Sequence, residues 1–353
     1  MITEATQIYT NGTEEMDIVV ERLNRDLRVS ARTLTPHEAR LLGDNYYMMQ
    51  DNRIRTAGQI RAMSGDEPHA VIDWLFSQNR KLEGQMKAAL QSFAEGNPVG
   101  QWAMSITGIG PVLAAGLLAH IDITRAPGVS HIWSYAGLNS NRRWMGGEAD
   151  RVVRAARDNA DSPIKAVRWL ATEAGYKVSD LYRLAGIPEP SPERYIEAAE
   201  YAGVDVPHWV MLSALYEHPE NRINHAGGSV DDFYQYAYAD IPMDFKTLTT
   251  ALKRRPWNAA LRTLCWKIGE SFVKSQNSSK SFYGPLYAQQ KASIIQRNLD
   301  GHYAADAEAL APKFGTTTVA RKAYDQGRLP DGHVHARARR WIVKLFLSHL
   351  WDI

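Results

Sequence analysis

The chain has 353 residues, 44% of them hydrophobic, which is enough for a sizeable core in two or three domains and excludes a small stapled scaffold or a disordered tail. Cys265 is the only cysteine, excluding an internal disulfide and a cysteine-built zinc site and fitting a reducing compartment. The formal net charge of +2 hides opposite regions: seventeen acidic against ten basic residues over 148–252, then nine basic against one acidic over 253–297, and positive charge clustered in this way suits a polyanion.

Met1 to Asn24 is polar and acidic, without the basic and apolar regions of a secretory signal, and no apolar run approaches the ~18 residues of a membrane span. A cytoplasmic protein with no membrane partner is expected. Thr35-Pro36-His37-Glu38 carries an N-cap, a proline at the first helical position and a glutamate at the third, a strong helix start. Leu41, Leu42, Tyr46, Met49, Ile54 and Ile60 follow at helical spacing. The loop Ser64–Pro68 ends this helix. A second helical run carries Ile72, Leu75, Leu82, Met86 and Leu90 toward Phe93, giving a helical hairpin over 35–92, within an N-terminal arm over 1–92, that reads as scaffold or dimerisation arm.

Ser105 to Ala115, with Gly108 and Gly110 flanking Ile109 between two apolar helical stretches, reads as a helix-hairpin-helix. The glycines permit the tight backbone. Amides around Gly108, Ile109, Gly110 and Val112, at the start of the following helix, can then face one phosphate, a contact that holds DNA without reading sequence. Trp133-Ser134-Tyr135-Ala136-Gly137-Leu138 and Arg142-Arg143-Trp144-Met145-Gly146-Gly147 come next, the two arginines being further candidate phosphate contacts.

The order of these blocks, with Lys253-Arg254-Arg255-Pro256-Trp257-Asn258 to Arg262 and the tail His335 to Leu350, resembles the C-terminal domain of IS110/IS116-type transposases over 93–147 and 253–353, the tail being similar to that of phage- and plasmid-borne relatives. The resemblance implies a DNA partner, duplex or junction, an origin in a mobile element, and nucleoid association in a bacterial or phage setting. Two family features have no counterpart. The acid-tipped RuvC-like sheet is missing from the helical N-terminal hundred residues, and Met145 or Gly146 stands where the family carries its nucleophilic serine. Ser140 and Tyr283 are left as weak catalytic candidates.

Residues 148–252 read as a small acidic helical insert that splits the transposase-like domain. Ser162-Pro163 opens a helix, Gly175 to Ser179 makes a turn, and Asp180 to Ala185 begins another helix. That spacing allows a helix-turn-helix, although the acidic balance favours a protein-interaction module. The aromatic run Phe233 to Tyr238 reads as core or protein interface.

In the basic stretch, Lys253, Arg254, Arg255, Arg262, Lys267 and Lys274 are candidate phosphate contacts, extended by Lys280. Arg262 and Lys267, five residues apart, lie ~140° apart around a helix and do not share a face. Trp257 and Trp266 read as core. In the tail, His333 and His335 lack the partners of a metal site. They read as a cap or phosphate contact ahead of an amphipathic helix, with Arg337, Arg339 and Arg340 as further DNA contacts. No nucleotide or dinucleotide fingerprint is present, so no cofactor is expected.

The fold expected is therefore mainly α, ordered as an arm (1–92), a hairpin (93–147), an insert (148–252) and a basic C-terminal part (253–353). Three functions stand side by side: a non-catalytic DNA-binding protein, also as a homodimer; a nicking or strand-transfer enzyme with a relocated nucleophile or a partner-supplied nuclease domain; and a module that binds a host protein through the insert.

Overall fold

The computed structural model describes residues 23–62, 70–139, 143–204, 219–238 and 241–353. These hold eighteen α-helices and no strand, the mainly α class expected. The loop at Ser64–Pro68, Ser140 and Arg142 lie outside the described residues. The chain divides into two compact units: one runs to Val129 and resumes at Thr263, and the other is Ser130–Arg262. The division falls earlier and later than the insert boundaries read from sequence, because the aromatic and basic blocks flanking the acidic segment pack with it.

The first unit begins with α1 (Arg25–Ala31), α2 (Pro36–Ala62) and α3 (Ala70–Glu95). The start of α2 is the capping box read from sequence. The Thr35 amide donates to Glu38 Oε2 at 2.7 Å, and the Glu38 amide donates back to Thr35 Oγ1 at 3.3 Å. Arg53 and the buried Glu83 pair bidentately, tying α2 to α3. Burial on α3 gathers at Ala89, Leu90, Phe93 and Ala94, and on α2 at Ala39 and Tyr46. Leu41, Ile54 and Leu75, which the spacing assigned to the apolar seam, are instead exposed among the described residues, on faces that the packing of α2 and α3 leaves uncovered.

α4 (Pro98–Ser105) and α5 (Pro111–His120) follow. Both start well for local reasons: a proline opens each, and the Asn97 side chain accepts from the Val99 amide. A Cβ at Gly100 would lie 2.2 Å from the Ala94 carbonyl oxygen, so α4 leaves α3 with backbone against backbone.

The second unit contains α6 (Val129–Tyr135), all but its first residue, and then α7 (Ala149–Asn159), α8 (Pro163–Ala174), α9 (Val178–Leu184), α10 (Pro192–Tyr201), α11 (Pro219–His225), α12 (Val230–Ala237) and α13 (Phe245–Lys253). Ser162 caps α8 by accepting from the Lys165 amide. Gly175 ends it in the left-handed region, at φ +67, the usual glycine role there. α9 begins at Val178, inside the stretch read as a turn. Val178, Ser179, Leu181 and Tyr182 on it are buried, so this seven-residue helix has no face to lay in a major groove. Phe233, Tyr234 and Tyr238 are buried too, the core role expected, with Tyr238 stacked on Tyr182 at 3.7 Å.

The first unit closes with most of α14 (Ala259–Lys274), then α15 (Tyr283–Leu299), α16 (Ala304–Leu310), α17 (Val319–Asp325) and α18 (Asp331–Trp351). Trp102 of α4 stacks on Phe346 at 5.7 Å, Phe272 stacks on Tyr283 at 4.7 Å, and Tyr283 meets Phe346 edge-on at 5.5 Å. The buried Asn298 side chain gives to the Leu329 carbonyl and accepts from its amide, replacing two backbone bonds. Among the described residues no helix is long and apolar enough to cross a membrane.

Two glycines give opposite expectations. Gly100→Ala drives a methyl group into backbone and is expected to destabilise by ~1–3 kcal/mol. Gly43→Ala, inside α2 with nothing within 4 Å of the added carbon, is expected to stabilise by ~0.5–1 kcal/mol. Denaturant unfolding of the two variants beside the parent checks both signs.

Candidate nucleic-acid interface

Between α4 and α5 the chain turns in five residues. Gly108 has φ +102, a conformation that L side chains rarely adopt, and the Ile109 amide donates to the Ile106 carbonyl at 2.9 Å. Ile109 and Val112 are buried, so their side chains anchor the turn; the Ile109 amide, expected to face a phosphate, is spent on Ile106, which leaves the Val112 amide to serve a ligand. Gly110 is extended (φ −90, ψ 175) and offers no side-chain cap to α5. Pro111 has no amide hydrogen, and the Val112 and Leu113 amides stand at the helix start, where no intrahelical acceptor reaches them.

The turn is braced from α14 and the loop after it. The Ser271 hydroxyl donates to the Gly108 carbonyl, and the Thr107 hydroxyl donates to the Lys280 carbonyl at 2.8 Å. A Cβ at Gly108 would come 2.8 Å from Ser271 Oγ. One α-helical turn beyond Ser271 stands Lys274. Lys274 and Lys280 are both exposed, and no carboxylate pairs with either among the described residues. Ser271 and Thr107, the residues that fix the turn, carried no sequence signal, because a serine and a threonine become braces only through partners 163 and 173 residues away.

Other predicted contacts in this unit are committed elsewhere. Lys267 Nζ sits 2.9 Å from the centroid of the Tyr47 ring, and burial lowers its pKa. Arg339 pairs with Glu270 and lies over Trp266, and Arg337 pairs with Asp306 at 2.9 Å and lies over Tyr303. Arg340 is partly buried in the same helix. Trp266, read as core, is 52% exposed and serves as the platform for Arg339.

The tail histidines lie within α18, not ahead of it. Each bonds a tyrosine: His333 to Tyr324 at 3.2 Å, His335 to Tyr287 at 2.6 Å and His349 to Tyr283 at 2.7 Å. Tyr283, one of the two catalytic candidates, is buried, and burial pushes its hydroxyl up to about 12.

The second unit gathers a separate basic and aromatic cluster from segments about a hundred residues and more apart in the chain. Trp144 Nε1 donates to the Lys253 carbonyl at 2.9 Å, and the Asn258 amide donates to the Tyr135 carbonyl at 2.8 Å. A Cβ at Gly137 would lie 2.8 Å from the Trp257 ring, so this glycine, at φ +67, is the seat of that tryptophan. Arg255 lies over Trp144 and Arg262 over Trp257, at 4.9 and 4.4 Å. Lys253 pairs with Asp150, and Arg143 with Glu148 and Glu173. Arg254, Arg255 and Arg262 are exposed, and among the described residues they have no carboxylate partner.

Residues 100–172 match the family model described as Transposase IS116/IS110/IS902 family. No curated protein and no solved structure matches the chain. The match supports an IS110-type transposase-related domain over these residues. The match includes the hairpin turn, Trp144, all of α7 and most of α8, so it runs past residue 147, where the resemblance was read to break off.

Burial holds His120 and His333 below the ordinary histidine pKa, with Arg40 adding to the effect at the first and Arg337 and Arg340 at the second. In the unfolded chain both take up a proton near pH 6.5, while in the folded chain they resist it. The stability tied to them is present above that pH and is lost as pH falls from there through the folded values. Thermal melts are expected to show a lower Tm at pH 5.5 than at 7.5, and the double variant His120→Asn/His333→Gln a smaller drop.

Proposed function

We propose that this chain is a DNA-binding protein derived from an IS110-type transposase, non-catalytic, which grips duplex or branched DNA through phosphate contacts. The observation that carries the reading is the braced turn at 106–112. A left-handed glycine, unpaired amides at the start of a ten-residue helix and two exposed lysines on the bracing segment make a concentrated donor set for one phosphate and its neighbours. The family match over the same residues supports it. Arg254, Arg255 and Arg262 supply a second set of contacts from the other unit.

Of the two candidate nucleophiles Ser140 lies outside the described residues, and the setting of Tyr283 supports the non-catalytic reading. A nucleophile needs an adjacent base and access to its target. Tyr283 has a histidine neighbour in His349 but lies in an aromatic core. Action in a reducing interior, near DNA and as a homodimer, belongs to the same proposal.

Fluorescence anisotropy across a salt series tests it. The parent is expected to bind duplex and four-way-junction DNA with an affinity that falls steeply with salt. Lys274→Ala/Lys280→Ala is expected to weaken binding at least tenfold and to lower the salt slope by about one for each phosphate that is no longer neutralised. Gly110→Ala, whose added Cβ meets nothing within 4 Å, is expected to fold normally and still bind more weakly, because the new methyl group stands beside the donor amides. DNA incubated with magnesium is expected to stay intact on a denaturing gel. No binding to any DNA at moderate salt would sink the proposal, and new nicks would replace it with the enzymatic reading.

A further inference from the structure

Of the exposed aromatic rings in the unit Ser130–Arg262, two flank the arginine pair of the second basic cluster, and phosphate binding leaves their exposure unexplained. Trp144 is 45% exposed and Tyr135 46%, yet the polar atom of each is engaged by the protein. Trp144 Nε1 donates to the Lys253 carbonyl, and the Tyr135 hydroxyl accepts from Asn258 Nδ2 at 2.8 Å. Surface aromatics ordinarily bury the ring and leave the polar tip in water. With the indole N–H satisfied internally, what Trp144 shows to solvent is mainly ring carbon.

Both rings are tied to one short segment, Lys253 to Asn258, Trp144 at its start and Tyr135 at its end. Between them the chain is extended at Arg254 (φ −76, ψ 152) and presents Arg254 and Arg255. The flanking cations Lys253 and Arg143 are neutralised by Asp150, Glu148 and Glu173, while this arginine pair is left without a carboxylate among the described residues. Arg255 lies over the Trp144 ring.

Outward ring carbon, a guanidinium lying over it and positive charge without a carboxylate among the described residues suit a ligand that joins a flat π-face to a phosphate. Duplex DNA satisfies the arginines but keeps its base faces inside the stack. Unpaired nucleotides satisfy both. We infer that Tyr135, Trp144 and Arg255 form a stacking platform for unpaired bases of single-stranded DNA, with Arg254 on the adjoining phosphate. The inference rests on the DNA-binding reading and narrows it: strand ends, gaps and junction arms with unpaired bases are the preferred targets, and every base is accepted because each offers a π-face.

The test uses the full chain and three labelled probes of equal length: an oligothymidine strand, an abasic strand of the same backbone charge, and a duplex. The parent is expected to bind the thymidine strand at least about fivefold more tightly than the abasic one. Trp144→Leu is expected to bring that ratio close to one while duplex affinity stays within about twofold. Arg255→Lys, which keeps the charge and loses the planar stack, is expected to lower the ratio as well and serves if Trp144→Leu does not fold by circular dichroism. Equal affinity of the parent for thymidine and abasic strands, or a ratio that survives both substitutions, overturns the platform and leaves duplex binding standing. Failure to bind any of the three probes at moderate salt overturns the DNA-binding reading itself.

Discussion

The hairpin cannot hold its shape alone. Its first helix has eight residues and its second ten, lengths that are marginal in water without tertiary packing. What fixes them is the aromatic group of Trp102, Phe272, Tyr283 and Phe346, which joins α4 to three helices from the C-terminal part of the chain. Ring pairs at these separations add ~0.5–1.5 kcal/mol each beyond their buried area. Where this group forms, α14 brings Ser271 to the Gly108 carbonyl, and the loop after it brings Lys280 to Thr107. The turn geometry, and with it the arrangement of amides, is thus a consequence of core packing contributed from residues 163 and 173 positions further along the chain.

In the second unit a comparable closure acts on the acidic segment. From Met145 to Leu252 one continuous core includes Val167, Leu170, Leu181, Tyr195, Phe233 and Leu248, and the two ends of the segment are tied to each other by the Trp144–Lys253 and Asp150–Lys253 contacts. Long insertions whose ends meet add little loop-closure cost, since that cost grows only with the logarithm of length. The blocks on either side can therefore meet, Gly137 beneath Trp257 and Tyr135 beside Asn258, although the whole acidic segment lies between them in the chain.

What the sequence made legible was local. The Thr35–Glu38 box, the Ser162-Pro163 start, the Gly175 stop and the burial of Phe233, Tyr234 and Tyr238 follow from caps, φ preferences and apolar spacing, all written within a few residues of where they act. The glycines of the hairpin were legible for the same reason. Pairings across the chain were not. Nothing near Lys267 announces Tyr47, nothing near Arg339 announces Glu270, and the histidines of α18 carry no mark of the tyrosines they bond. Leu41, Ile54 and Leu75 were assigned to a seam because periodicity reports which positions are apolar, not how many neighbours arrive to cover them. The family resemblance was read to end at residue 147 with the last motif block, whereas the match to the family continues through α7 and into α8.

Charge shows the same limit in its sharpest form. Nine basic residues against one acidic over 253–297 invite a reading in which each is a phosphate contact. Folding divides them. Lys253 is taken up by Asp150 and Lys267 by Tyr47, while Arg262 and Arg255 lie on tryptophan rings with their charge still uncompensated, and Lys274, Lys280 and Arg254 stand in the open. Salt dependence counts only phosphates neutralised, at ~0.9 for each on duplex DNA, so the slope follows from the residues left without partners and not from the composition. Among the described residues, four of these form two groups. Lys274 and Lys280 flank the turn amides, a setting that can meet only backbone, and Arg254 and Arg255 stand beside exposed rings, a setting that can also meet a base. On the proposed DNA-binding reading, one basic stretch in the sequence supplies two sites with different demands on the same DNA, the first indifferent to whether the strands are paired and the second satisfied in full only where they are not.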